Sequence, residues 1–256
     1  MFIRQERSLK EFITFYPVIS FIVIVNFILW YLTDFSQSSI GKIIIDFGMG
    51  SNFLVHEGQY WRLVTPIFLH SGLRHVLFNS FSLVIFGSAL EQMLGRFKFI
   101  LTYLIAGIAG NVATFLLGPE IYFHLGASGA VYGIFGVYLY MIAVRQDLID
   151  PMSRQIIIII TVLGFIMTFV RPNINIYAHL FGYVGGLIMA PIVLTRAKPF
   201  SIWRNRYKAP PKDDGDPIKF DPNRWQKKRI PAQLKKNIFW VVLGILIIFA
   251  LFGRFF

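Results

Sequence analysis

Hydrophobic residues in this chain come in long blocks instead of alternating with polar ones. Apolar runs cover 16–33, 73–91, 97–117, 126–144, 155–170, 175–194 and 237–253. A helix that crosses a bilayer needs roughly 20 mostly apolar residues, with about 17–25 tolerated. The first six runs predict six membrane helices, and the last adds a C-terminal seventh. The fifth and seventh are short, and the second is interrupted by His75 and Asn79. Strands do not compete, because period-two alternation is absent and the runs exceed strand length. The expected fold is an all-α polytopic membrane protein, a six-helix transmembrane bundle plus a seventh helix. Its expected organisation is an N-terminal tail at 1–15, a membrane domain at 16–195 with a long loop at 34–72, a linker at 196–236, and the last helix within 237–256.

Composition agrees with a membrane chain. Of 256 residues, 55% are hydrophobic and only 15% charged, where a soluble domain carries about 25%. The net charge of +12 is unevenly spread, which argues for topology and against nucleic acid as a partner. With the N-terminus inside, the inner segments hold Arg4, Arg7, Lys10, Arg96, Lys98, Arg145, Arg154 and thirteen further basic residues in 196–236. Only Lys42, Arg62, Arg74, Arg171 and Arg254 fall outside. The positive-inside rule then predicts a cytoplasmic N-terminus and a cytoplasmic basic linker. The first run lacks a small-residue cleavage site after it and reads as a retained helix. Cysteine is absent, which excludes disulfides and thiolate chemistry. Asp213-Asp214-Gly215-Asp216 reads as a turn and not as a calcium loop, since the alternation of ligands is missing and position 224 is Arg and not Glu.

This topology starts the second, fourth and sixth helices at the outer face. His75 and Asn79 lie in the first turns of the second, Ser128 in the first turn of the fourth, and His179 in the first turns of the sixth. At 1.5 Å per residue, all four side chains reach one layer roughly 5–10 Å deep. Polar groups at membrane depth are costly, so their convergence points to function. A neutral Ser needs a base to become a nucleophile, and His179 is the natural one. No carboxylate is placed to complete a triad. Glu91 is at the inner end of its helix, and Asp34, Asp46, Glu57 and Glu120 are in outer loops. The expectation is a Ser–His dyad whose imidazole is held by something else, with Tyr132, one turn from Ser128, placed to stack on it. His75, Asn79 and the backbone N–H of Ser128 are expected donors to an oxyanion. Ala178, Gly182, Gly186 and Ala190 on the sixth helix, and Gly129 and Gly133 on the fourth, form small-residue ridges that permit close packing.

Four motifs carry a family resemblance. They are Trp61-Arg62, the two histidines and asparagine of His70…His75…Asn79, Gly126-Ala127-Ser128-Gly129 with Tyr132, and Ala178-His179 with Gly182 and Gly186. In this order, across about residues 55–195, they resemble the rhomboid intramembrane serine proteases. The resemblance implies a rhomboid-like bundle that hydrolyses a peptide bond in or near a substrate's transmembrane segment, on the outer side. It implies transmembrane protein substrates, the lipid bilayer as setting, and no metal, nucleotide or other cofactor. The expected location is a bacterial plasma membrane. Phe181 departs from the small residue common in the family. Trp61-Arg62 suits an interfacial anchor, the ring at headgroup depth and the guanidinium on lipid phosphates. His70 reads as structural. The competing class is a non-catalytic rhomboid-like scaffold that routes membrane clients; such relatives lack the Ser or the His, and this chain keeps both.

Overall fold

A computed structural model describes residue 6, residues 8–36 and residues 38–204. Most of the 196–236 linker and the whole of the seventh helix lie outside the described residues. A short helix, α1 (Leu9–Phe15), is capped by Ser8, whose Oγ accepts from Glu11 N at 3.2 Å. It leads into α2 (Pro17–Trp30), with Pro17 where a helix needs no N–H, and α2 continues as a π turn over Tyr31–Phe35. The 34–72 loop is folded. It holds α3 (Ser39–Gly48), a two-residue strand β1 (Gly50–Ser51), α4 (Asn52–His56), and 3-10 turns at Tyr60–Leu63 and Thr65–Phe68. The second span is α5 (Leu73–Ser82), a π turn at Leu83–Gly87 and α6 (Ser88–Leu94). After α7 (Arg96–Leu117) come β2 (Phe123–His124), α8 (Ser128–Ala143), α9 (Pro151–Val170) and α10 (Ile176–Val193).

The fold is all-helical and polytopic. Five described helices are long and apolar enough to cross a membrane: Pro17–Phe35, Leu73–Leu94, Arg96–Leu117, Pro151–Val170 and Ile176–Arg196. The sixth run forms a span of the same kind but the fourth, α8, is shorter, at 16 residues. That is about 24 Å against a hydrocarbon layer of about 30 Å. It is also the most enclosed, with every residue from Gly129 to Tyr138 buried. A short central helix is how a polar first turn comes to lie below the surface of the bundle.

Glycines let the neighbours close on α8. Gly182 lies against the Gly129 carbonyl, Gly186 against the Gly133 carbonyl and Gly136 against the Tyr183 carbonyl, each with no room for a Cβ. A Cβ on Gly110 of α7 would fall 2.6 Å from the Ala178 oxygen of α10. The small ridges of the fourth and sixth runs thus face each other.

Three features differ from the pattern-based expectation. The fifth helix begins at Pro151, four residues before its apolar run, because Asp150 accepts from Ser153 N at 2.9 Å and from Ser153 Oγ at 2.7 Å. That N-cap makes it a full-length span. The strands β1 and β2 pair antiparallel, Gly50 with His124 and Ser51 with Phe123. Two residues each are too few to leave a period in the sequence. Finally, Glu91 of α6 accepts from Val18 N at 3.1 Å and Ile19 N at 2.9 Å, so one carboxylate caps the start of α2 from another helix.

Candidate active site

Ser128 is the first residue of α8 and is half-buried. The chain reaches it through Gly126, whose φ of +133° is open to glycine and strained for other residues. Gly126 N donates to the Pro66 carbonyl at 2.9 Å, and Ala127 N donates to His70 Nε2 at 3.4 Å. His70 is fully buried, and burial together with its neighbour His75 holds its pKa down at about 3. It is therefore neutral, and a ring that accepts at Nε2 keeps its proton on Nδ1. Its structural role is concrete: it fixes the turn that presents Ser128.

The His70 and His75 rings meet edge-on, 5.0 Å between centroids. A Cβ on Gly126 would lie 2.6 Å from His75 Nε2 and 3.8 Å from Ser128 Oγ, so both atoms border the same small space. Asn79, one turn along α5, is buried and donates through Nδ2 to the His75 carbonyl at 3.2 Å. That uses one of its two N–H bonds.

His179 sits in the first turn of α10, which Asn175 caps by accepting from Ala178 N at 3.0 Å and from Thr114 Oγ1 at 3.1 Å. Its ring stacks on Tyr132 at 4.2 Å between centroids and 18° between planes. Thr168 of α9 lies 2.8 Å from His179 Nδ1 and 2.9 Å from the Tyr132 hydroxyl. Ser128 and Tyr132, one turn apart on α8, join the two halves of the site. Among the described residues, no hydrogen bond links Ser128 Oγ to His179 and no carboxylate joins the cluster. Glu91 is occupied at α2, Asp34 accepts from Trp30 Nε1 and Gly72 N, and Glu57 and Glu120 are exposed.

Thr168 is the residue that the pattern of polar positions in even-numbered helices misses. An odd helix ends at the face where an even helix begins, so a polar residue near its C-terminus reaches the same layer. The expected anchor at Trp61-Arg62 needs correction for the guanidinium. Arg62 is buried and donates to the Asp46 carbonyl and the Met49 carbonyl, both at 2.6 Å, and to Gln59 Oε1 at 2.7 Å. It ties α3 to the following turn and faces no lipid phosphate, because three fixed loop acceptors match its forked donors. Trp61 is partly exposed, stacks on Phe47 and donates to the Phe47 carbonyl at 3.0 Å. Phe181 is exposed on α10.

Comparisons with known proteins converge. The sequence model of the Rhomboid domain matches residues 57–196. The chain is 43% identical over 190 residues to the putative rhomboid protease YdcA of Bacillus subtilis (strain 168), covering 74% of this chain and 94% of that protein. It is 36% identical over 178 residues to the rhomboid protease GluP of the same organism, covering 68% of this chain and 34% of that protein. Over 146 residues it is 30% identical to RHOMBOID-like protein 1 of Arabidopsis thaliana, covering 57% of this chain and 37% of that protein.

Proposed function

The chain belongs to the rhomboid family, and from that premise we propose that it cleaves membrane-protein substrates through a dyad of Ser128 and His179. The chain is a multi-pass membrane protein and an intramembrane protease. Ser128 Oγ attacks the scissile carbonyl while His179 takes the hydroxyl proton and then returns it to the leaving amine. Water, activated by the same imidazole, releases the acyl group. The oxyanion is held by the His75 ring, the free N–H of Asn79 and the backbone N–H of Ser128, at the positive end of α8. A substrate helix hides its carbonyls in backbone hydrogen bonds, so Gly or Pro near the cleaved bond favours the reaction by loosening it.

The observation that carries this reading is the stacking of His179 on Tyr132, one turn from Ser128 on the most enclosed helix. It supports a base fixed beside the nucleophile at the mouth of α8. Ser128→Ala and His179→Ala should each abolish cleavage of a single-span test substrate while leaving thermal stability in detergent unchanged. The double variant should be no worse than either single one, because members of a catalytic unit do not add. Undiminished cleavage by Ser128→Ala removes the dyad.

A further inference from the structure

The base needs a partner on its far nitrogen, and among the described residues no carboxylate supplies one. We propose that Thr168 is that partner, a neutral positioning residue whose hydroxyl holds His179 in the tautomer that can act as base. This rests on the Ser128–His179 reading above.

The assignment follows from counting donors. Thr168 Oγ1 has three neighbours: the Gly164 carbonyl at 2.8 Å, His179 Nδ1 at 2.8 Å and the Tyr132 hydroxyl at 2.9 Å. A hydroxyl has one proton and two lone pairs. The Gly164 carbonyl can only accept, so the Thr168 proton goes to it. Both lone pairs then remain for the other two neighbours, which must donate. Tyr132 donates its O–H, and His179 donates from Nδ1. For a neutral imidazole, any other arrangement leaves two bare acceptors facing each other across 2.8 or 2.9 Å. With its proton on Nδ1, His179 keeps a lone pair on Nε2, the nitrogen available to Ser128. The other tautomer would present an N–H there and could take no proton.

The placement of Thr168 also argues against a packing role. Of the twenty residues of α9, only Ser153, Ile157 and Thr168 are buried, and Ser153 belongs to the N-cap at the other end. Ile158, Ile159, Val162, Leu163, Ile166 and Phe169 are all exposed. A threonine in a membrane helix commonly bonds the carbonyl four residues back, but that bond requires neither the imidazole nor the phenol. A hydroxyl suits this setting because a buried carboxylate would cost far more to desolvate.

The tautomer can be read in the resting protein. In 15N-histidine-labelled protein in detergent micelles, the His179 resonances are those lost in His179→Ala. They should report a proton on Nδ1 and a bare Nε2; a proton on Nε2 overturns the proposal. Thr168→Val keeps the shape and removes the hydroxyl. It should lower kcat roughly ten-fold, the rate equivalent of one neutral hydrogen bond, with KM unchanged, and should move His179 toward the Nε2–H form. Thr168→Ser should recover most of the rate and the wild-type tautomer. Full kcat in Thr168→Val, or equal losses in Thr168→Val and Thr168→Ser, overturns the role. Retained cleavage by His179→Ala instead overturns the dyad, whatever tautomer the ring holds.

Discussion

Asn79 and His75 differ from the proposed nucleophile and base in what they can lose. Asn79 already donates one N–H to the His75 carbonyl, so its amide is oriented before any substrate arrives. Preorganised donors are worth most when they point at charge that exists only in the transition state. Asn79→Ala should therefore lower kcat by up to about 10²–10³-fold with KM little changed, and His75→Ala should behave alike. A raised KM at constant kcat, in steady-state cleavage of a single-span substrate, would assign that residue to substrate binding. Single residues also differ in how visible they are in a sequence. Ser128, His75, Asn79 and His179 stand out because polar groups interrupt apolar runs at one depth. Thr168 does not, since a threonine in a membrane helix satisfies its own hydroxyl and raises no flag. Nor does the inward turn of Arg62, whose acceptors are the Gln59 side chain and two backbone carbonyls at the end of α3, none of which a sequence pattern marks.

At the scale of elements, the ribbon of β1 and β2 couples the loop after the first span to the turn that precedes Ser128. Its Gly50 faces the His124 ring with no room for a side chain. His124 is buried, and a Cβ on Gly50 would fall 2.5 Å from its Nε2. Burial lowers its pKa from the ordinary 6.5 to about 4, and that of His70 to about 3. Both are neutral in the folded protein. Between pH 6.5 and about 4 the unfolded chain binds a proton at His124 that the folded one refuses. Stability is then full above pH 6.5 and falls as pH drops through that window. The loss from His124 is about 3.5 kcal/mol at most, from roughly 1.4 kcal/mol per pH unit. His124→Gln should flatten the slope of thermal stability against pH between about 6.5 and 4; an unchanged slope would show that the ring does not titrate on unfolding. Helix positions are legible from apolar blocks alone, whereas a two-residue ribbon and the π turns at Tyr31–Phe35 and Leu83–Gly87 are fixed by tertiary contacts and leave no pattern.

Across the whole molecule, charge at one end of the bundle serves helix capping. Lys98 Nζ donates to the Val193 carbonyl at 2.9 Å, and Arg145 donates to the Leu194 carbonyl at 3.0 Å. Two cations from the starts and ends of other helices thus meet the negative end of α10. Glu91 meets the positive end of α2. The site occupies the opposite end, where β1 and β2 bring the loops before α5 and α8 together. If Lys and Arg mark the cytoplasmic side, the site opens outward and Ser128 meets substrate near the outer surface. The chain has no cysteine, so single reporters are simple to install. Glu57 lies exposed in the first loop and Gln146 exposed between α8 and α9. Glu57→Cys should react with a membrane-impermeant maleimide on intact cells, and Gln146→Cys only after lysis, with both variants still cleaving substrate. The reverse labelling would place the site on the cytoplasmic side. A substrate would then have to be cut at its cytoplasmic end, and the basic residues at the far end of the bundle would serve helix capping alone.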